Sequence, residues 1–242
     1  MSATYDLIVR NGTVVNHAGM GRADIGVRDG RIVAIGALGQ ASAGETFDAK
    51  GLHVLPGVID TQVHFREPGN DHKEDLETGS RAAVLGGVTA VFEMPNTAPP
   101  TTNAEALLDK LTRAKDRMFC DHAFYVGGTH ENAGLLADLE RIPGCAGVKT
   151  FVGSSTGNLL VADDEGVLAV LRNGRRRCSF HAEDEPRLRE RKALAEPGKP
   201  ETHPVWRDAA AALLATQRIV GLARRAHRRI HILHVSTKEE IA

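Results

Sequence analysis

The chain has 242 residues, room for one large domain or two modest ones. Hydrophobic residues make up 42% and charged residues 25%, which excludes a disordered chain and leaves ample material for a core. The 30 basic and 31 acidic residues give a formal charge of −1, so nothing marks a surface for nucleic acid or an anionic membrane.

The N-terminus, Met1 to Asp6, has no basic cluster leading into an apolar stretch, so no signal peptide is read there. From residue 5 to about 56 the pattern is of short alternating strands broken by turns. Ile25 and Val27 lead into Asp29-Gly30, and Ile32, Val33 and Ile35 follow, which is a hairpin signal. This stretch, 1–54, is expected to be a small β-sandwich module within a composite domain.

From Leu55 the rhythm becomes strand then helix. Apolar runs at 54–60, 88–94, 122–127, 146–152, 177–181 and 230–235 alternate with helical patterns near 73–86, 103–117, 131–141, 163–173 and 208–228. Such alternation implies parallel strands with right-handed crossovers. No Gly-x-Gly-x-x-Gly follows a strand, so a dinucleotide-binding open sheet is unsupported. The expected fold is α/β: a TIM-type β/α barrel over 55–242 with about six of its eight units, read as a piece of a longer barrel. The arginines near 175–177 and 224–229 read as solvated helix ends.

No apolar run approaches the ~20 residues of a membrane span. Cys120, Cys145 and Cys178 are odd in number and widely spaced. They form neither a disulfide framework nor a cysteine zinc site, and they suit a reducing cytoplasm.

Polar residues recur at the C-terminal ends of the predicted strands, which in a β/α barrel converge on one mouth. They are Gln62 and His64, Asn96, His181 and His234, while Lys149 lies within the fourth run. A lone strand-end histidine is more often structural than a ligand. Several on converging strands suit zinc, because imidazole nitrogen is a favoured zinc donor. By strand alternation His231 faces away from His234. Lys149 reads either as a snorkelling edge lysine or as an amine whose pKa falls on burial. Such an amine can capture carbon dioxide as a carbamate, an anion suited to bridging two cations. Gly153-Ser154-Ser155-Thr156-Gly157 fits Gly-x-Ser-x-Gly in form. A nucleophile elbow needs a helix directly after the serine, and none is predicted, so close packing under the site is the better reading.

The segments Pro56 to Gly69, Met94 to Thr97, Gly147-Val148-Lys149, Phe180 to Asp184 and Leu233 to Thr237 together resemble dihydroorotases of the cyclic amidohydrolase superfamily, in order along the whole chain. The resemblance implies a zinc-dependent hydrolase, with one or two ions, that interconverts dihydroorotate and N-carbamoyl-aspartate in pyrimidine synthesis. It implies His64 as a first-strand metal ligand, Lys149 as a carboxylated bridging ligand, and His181 and His234 as ligands of a second metal. Arg66 and Asn96 are implied to grip a substrate carboxylate. The family's catalytic aspartate is expected beyond residue 242, so this stretch alone is expected to be inactive. Gln62 stands where the family has histidine, which weakens the first metal site. The alternatives are a dihydropyrimidinase, hydantoinase or allantoinase, and a non-catalytic subunit scaffolding aspartate transcarbamoylase. Besides a small-molecule substrate, a homodimer and aspartate transcarbamoylase are the candidate partners.

Overall fold

The computed structural model describes residues 4–155 and 157–241, which form two compact units meeting at Val58 and Ile59. The first unit holds a five-stranded sheet: β1 (Thr4–Asn16), β2 (Gly19–Arg28), β3 (Arg31–Gly36), β4 (Ser42–Asp48) and β5 (His53–Val54). The order is β3-β2-β1-β4, with β5 also paired to β1. The β2–β3 hairpin turns through Asp29 and Gly30, at φ 51° and 68°, the left-handed pair that a two-residue turn of primed type requires. Tyr5, Ile8, Val14, Ile25 and Ala49 form its small buried set. Gly26 leaves space for the Tyr5 ring, since a Cβ there would lie 2.5 Å from it.

The second unit is a run of strand–helix units. Its strands are β6 (Val58–Val63), β7 (Val88–Glu93), β8 (Asp121–Gly127), β9 (Cys145–Phe151), β10 (Cys178–His181) and β11 (Ile230–Ile232). They lie side by side in sequence order, and the β7–β8, β8–β9, β9–β10 and β10–β11 pairings are parallel. The helices are α1 (Leu76–Leu85), α2 (Ala104–Ala114), α3 (Leu136–Leu139), α4 (Asp164–Asn173), α5 (Glu185–Arg191), α6 (His203–Trp206) and α7 (Ala209–Arg225). Five of these starts follow a capping residue: the side chains of Asp75, Asn103, Asp163, Asp184 and Asp208 accept backbone N–H bonds at the starts of α1, α2, α4, α5 and α7. Among the described residues no helix is long and apolar enough to cross a membrane.

Sheet and helices bury a main core, with Leu76, Leu107, Phe124, Val126, Phe180 and Ile219 among its members, and a smaller cluster of Met94, Tyr125 and Leu233. Burying both faces of parallel strands is what makes these runs nearly all apolar. One ion pair interrupts that core. Glu93 at the end of β7 and Lys110 of α2 are both 1% exposed and bonded to each other, and Lys110 also donates to the Met94 carbonyl at 3.0 Å. Burial pushes the Glu93 carboxyl up and the Lys110 ammonium down, because desolvation opposes both charges. The pair fixes the end of β7, from which the loop carrying Asn96 departs.

Removing one member should therefore be worse than removing both. Lys110→Met alone is expected to lower unfolding stability by about 3–5 kcal/mol. Glu93→Gln combined with Lys110→Met should recover most of it, as read from urea unfolding midpoints. Equal losses in the single and double variants would remove the pairing argument.

Candidate active site at the strand ends

His64 and Arg66 follow β6, Asn96 follows β7, Lys149 lies near the end of β9, His181 ends β10 and His234 follows β11. All lie toward the C-terminal ends of parallel strands. Two backbones bend sharply there: Arg66 and His234 have φ of 63° and 39°. Left-handed backbone at bulky residues is costly and clusters at functional sites.

The clearest convergence is between His181 and His234, whose Nδ1 and Nε2 atoms are 3.1 Å apart. Two imidazole nitrogens bound to one tetrahedral zinc lie about 3.3 Å apart, given bonds of roughly 2.0–2.1 Å. The separation suits a shared cation as well as it suits a hydrogen bond. Among the described residues no three His, Cys, Asp or Glu side chains gather into a metal cage. Lys149 and His64 lie near enough to His234 for their charges to act on one another, and Lys149 could donate to a cation only as the free amine or a carbamate.

Lys149 is 1% exposed and has no carboxylate partner among the described residues. Its Nζ lies 4.2 Å above the Phe151 ring and 3.4 Å from the Thr150 carbonyl. Burial lowers its pKa to about 7, so half of it is free amine near neutral pH. That separates the two sequence readings: Lys149 is a buried amine, not a snorkelling edge residue.

His64 is held at about 4, first by burial and then by the charges of Arg66, Lys149 and His234; a side-chain hydrogen bond with Asn96 acts the other way. It is therefore a neutral imidazole at pH 7, the form that ligates metals. Burial and the charges of His181 and Lys149 lower His234 in the same direction. At pH 7 the site thus offers neutral nitrogen donors. A divalent cation would find neutral imidazole donors in His64 and His234, and an anionic donor in Lys149 were it carboxylated.

Gln62 lies in β6 one residue before its end, and His64 follows just past that end. Gln62 presents a neutral amide where the resemblance expects imidazole. His231 corrects the alternation argument. It stands in register with Ser179, which is itself in register with Lys149. His231 is therefore in the row of Lys149, whose charge helps to lower its pKa after burial and Arg177. Alternation fails because β11 ends at Ile232 and His234 turns left-handed.

The Gly153–Gly157 loop is not a nucleophile elbow. The next helix among the described residues begins at Asp164, and Thr156 lies outside those residues. The loop packs tightly instead. A Cβ on Gly153 would lie 2.5 Å from the Glu183 carbonyl oxygen. Glu183 and Arg207 escaped the sequence reading: Glu183 Oε2 accepts from His181 Nε2 at 2.7 Å, and Arg207 bonds the same carboxylate oxygen. The spacing of Glu183 two residues after His181 was the available signal. A cleft of about 920 Å³ opens beside them, lined by His181, Glu183, Arg207, Trp206, His234 and Ser236 among others.

Residues 53–198 match the amidohydrolase family, and residues 1–54 match the N-terminal domain of the urease alpha-subunit. The chain belongs to the amidohydrolase family. An allantoinase of Rubrobacter xylanophilus is 40% identical over 251 residues, covering 100% of this chain and 54% of that protein. A dihydroorotase of Methanosarcina acetivorans is 33% identical, covering 98% of this chain and 51% of that protein. The L-hydantoinase (dihydropyrimidinase) structure from Arthrobacter aurescens superposes with a TM-score of 0.88 at 29% identity, covering 98% of this chain and 54% of that one. The chain thus spans about half the length of the relatives it matches, and its six-stranded parallel sheet with helices matches part of the L-hydantoinase barrel.

The buried amine gives a pH test. The unfolded lysine titrates at its ordinary 10.5 and the folded one at about 7. As pH falls from 10.5 to 7 the unfolded state takes up a proton that the folded state refuses. Stability present above 10.5 is lost over that window at up to ~1.4 kcal/mol per pH unit and is level below it. In metal-free, carbonate-free buffer, Lys149→Met should therefore gain on the parent as pH drops from 10 to 7, with no further gain below. A gap independent of pH would show that the amine is not buried in this way.

Proposed function

We propose that the whole protein is a metal-dependent cyclic amidohydrolase that opens the ring of a cyclic ureide, with an allantoin-type hydantoin ring as its substrate class. The reading is carried by the nitrogen cluster of His64, Lys149, His181 and His234 at one strand-end mouth. It is supported by the allantoinase that is 40% identical along this entire chain.

His181 and His234 would hold the cation with Lys149 as a carbamate, and His64 would add a donor from the β6 side. When bound, a zinc-like cation lowers the pKa of water toward 7 and polarises a carbonyl oxygen. The chain's own residues do the rest. The neutral state of His64 keeps its lone pair available. Burial of Lys149 keeps its amine free to react with carbon dioxide, forming the N–C bond and releasing one proton. Arg66, held by its left-handed backbone beside His64, and buried Asn96 bind and orient the polar edge of the ring.

A second reading, dihydroorotate, is favoured by Arg66, because a guanidinium fork matches a ring carboxylate bidentately. Allantoin and hydantoin have no carboxylate for it to grip. The two readings separate in one experiment on the whole protein, comparing turnover of allantoin, hydantoin and dihydroorotate by the parent and by Arg66→Leu. Allantoin is expected to be turned over fastest, with less than a tenfold rise in KM in the variant. Dihydroorotate turnover that collapses by 100-fold or more in Arg66→Leu, a loss of about 2.7 kcal/mol, would assign the second reading. No turnover of any cyclic amide would dismiss both.

A further inference from the structure

His181 has two ring nitrogens with different tasks, and its surroundings dictate which carries the proton. Nε2 faces the Glu183 carboxylate at 2.7 Å, while Nδ1 faces His234 Nε2 at 3.1 Å. An ionised carboxylate accepts hydrogen bonds and cannot donate them, so Nε2 must be the N–H. Nδ1 is left with its lone pair toward His234.

The carboxylate is held firmly in place. Arg207 bonds its Oε2 through one guanidinium nitrogen and donates the other to the Ser154 carbonyl at 2.7 Å. The Ser154 N–H donates to Glu185 at 2.7 Å, tying the loop after β9 to the start of α5. Gly153 lets this loop approach, because any Cβ there would strike Glu183. The Arg207 guanidinium on the same oxygen pairs Glu183 as the carboxylate anion.

We propose that Glu183, clamped by Arg207, is a positioning residue that fixes His181 as its Nε2–H tautomer and aims the Nδ1 lone pair at the cation site. The inference rests on the metal reading for its purpose, but not for its geometry. In the metal-free chain the Nε2–H of His234 donates to that lone pair. For both rings to hold a cation, His234 would have to carry this proton on Nδ1 instead, leaving its Nε2 lone pair free beside that of His181 Nδ1. An outer carboxylate that orients a ligating imidazole strengthens metal binding by 10–100-fold.

The test uses the whole protein with ¹⁵N-labelled histidine, stripped of metal and then titrated with zinc against a chromophoric chelator. The parent should show His181 as Nε2–H. Glu183→Ala should mix the tautomers and weaken zinc binding 10–100-fold. Glu183→Gln keeps an acceptor oxygen, so it should restore the tautomer with a smaller loss of affinity, and it replaces the alanine variant if that one does not fold. A parent that fails to bind zinc but shows the tautomer shift would sink the metal reading and leave the positioning role standing. A parent protonated on Nδ1, or a Glu183→Ala variant with tautomer and zinc affinity unchanged, overturns the inference.

Discussion

The site depends on placing an amine where water cannot solvate its charge. Lys149 sits near the end of β9, one of the strands at the middle of a parallel sheet, with Phe151 beneath its nitrogen and no carboxylate beside it among the described residues. Isolated ammonium groups do not survive such burial; they give up their proton. An amine that is neutral near pH 7 can be converted to a carbamate, and of the three histidines near it His181 has a carboxylate, Glu183, on its other nitrogen. The same burial that costs folding stability thus leaves the reactive amine that the proposed cation site requires.

The contrast with the other buried charges supports this. Glu93 is answered by Lys110. Glu67 accepts the Leu76 N–H and pairs with Arg117 at 2.8 Å, bracing the chain just past Arg66. Glu140 accepts the backbone N–H groups of Arg175 and Arg176 and faces Arg228. Each buried carboxylate has its cation or its amide donors, as the cost of an unpaired buried charge demands. Lys149 is the buried ammonium left without that answer, and it lies at the strand-end mouth. The Glu183–Arg207 pair links these two patterns: structurally it is a satisfied ion pair, and chemically it faces a site histidine.

Much of this was legible in the sequence because period and strand ends are local properties. The strand–helix alternation from Leu55 onward places the six parallel strands, and His64, Asn96, Lys149, His181 and His234 could be read at or near their ends from one sequence. The first strand nevertheless runs over Val58–Val63 where 54–60 is predicted, since Leu55, Pro56 and Gly57 are apolar or small without entering the ladder. Helix α5 hides behind a charged stretch, Glu185 to Arg191, with too few apolar residues to show a period. Arg228 read as a solvated helix end, yet α7 stops at Arg225 and the chain folds Arg228 back onto Gly174 and Glu140. His231 falls in the row of Lys149 although His234 meets His181, because alternation holds only while the backbone is extended. The role of Glu183 needed a three-dimensional fact, the side on which Arg207 arrives from 24 residues away.

The central claim is that imidazoles from β10 and the turn after β11 share one cation with Lys149. X-ray absorption at the zinc edge of the zinc-loaded whole protein addresses it directly. The account predicts nitrogen and oxygen scatterers at about 2.0–2.1 Å, with the outer-shell pattern of at least two imidazoles, and loss of that pattern in His181→Ala combined with His234→Ala. A sulfur shell at about 2.3 Å, or a spectrum unchanged in the double variant, would contradict it.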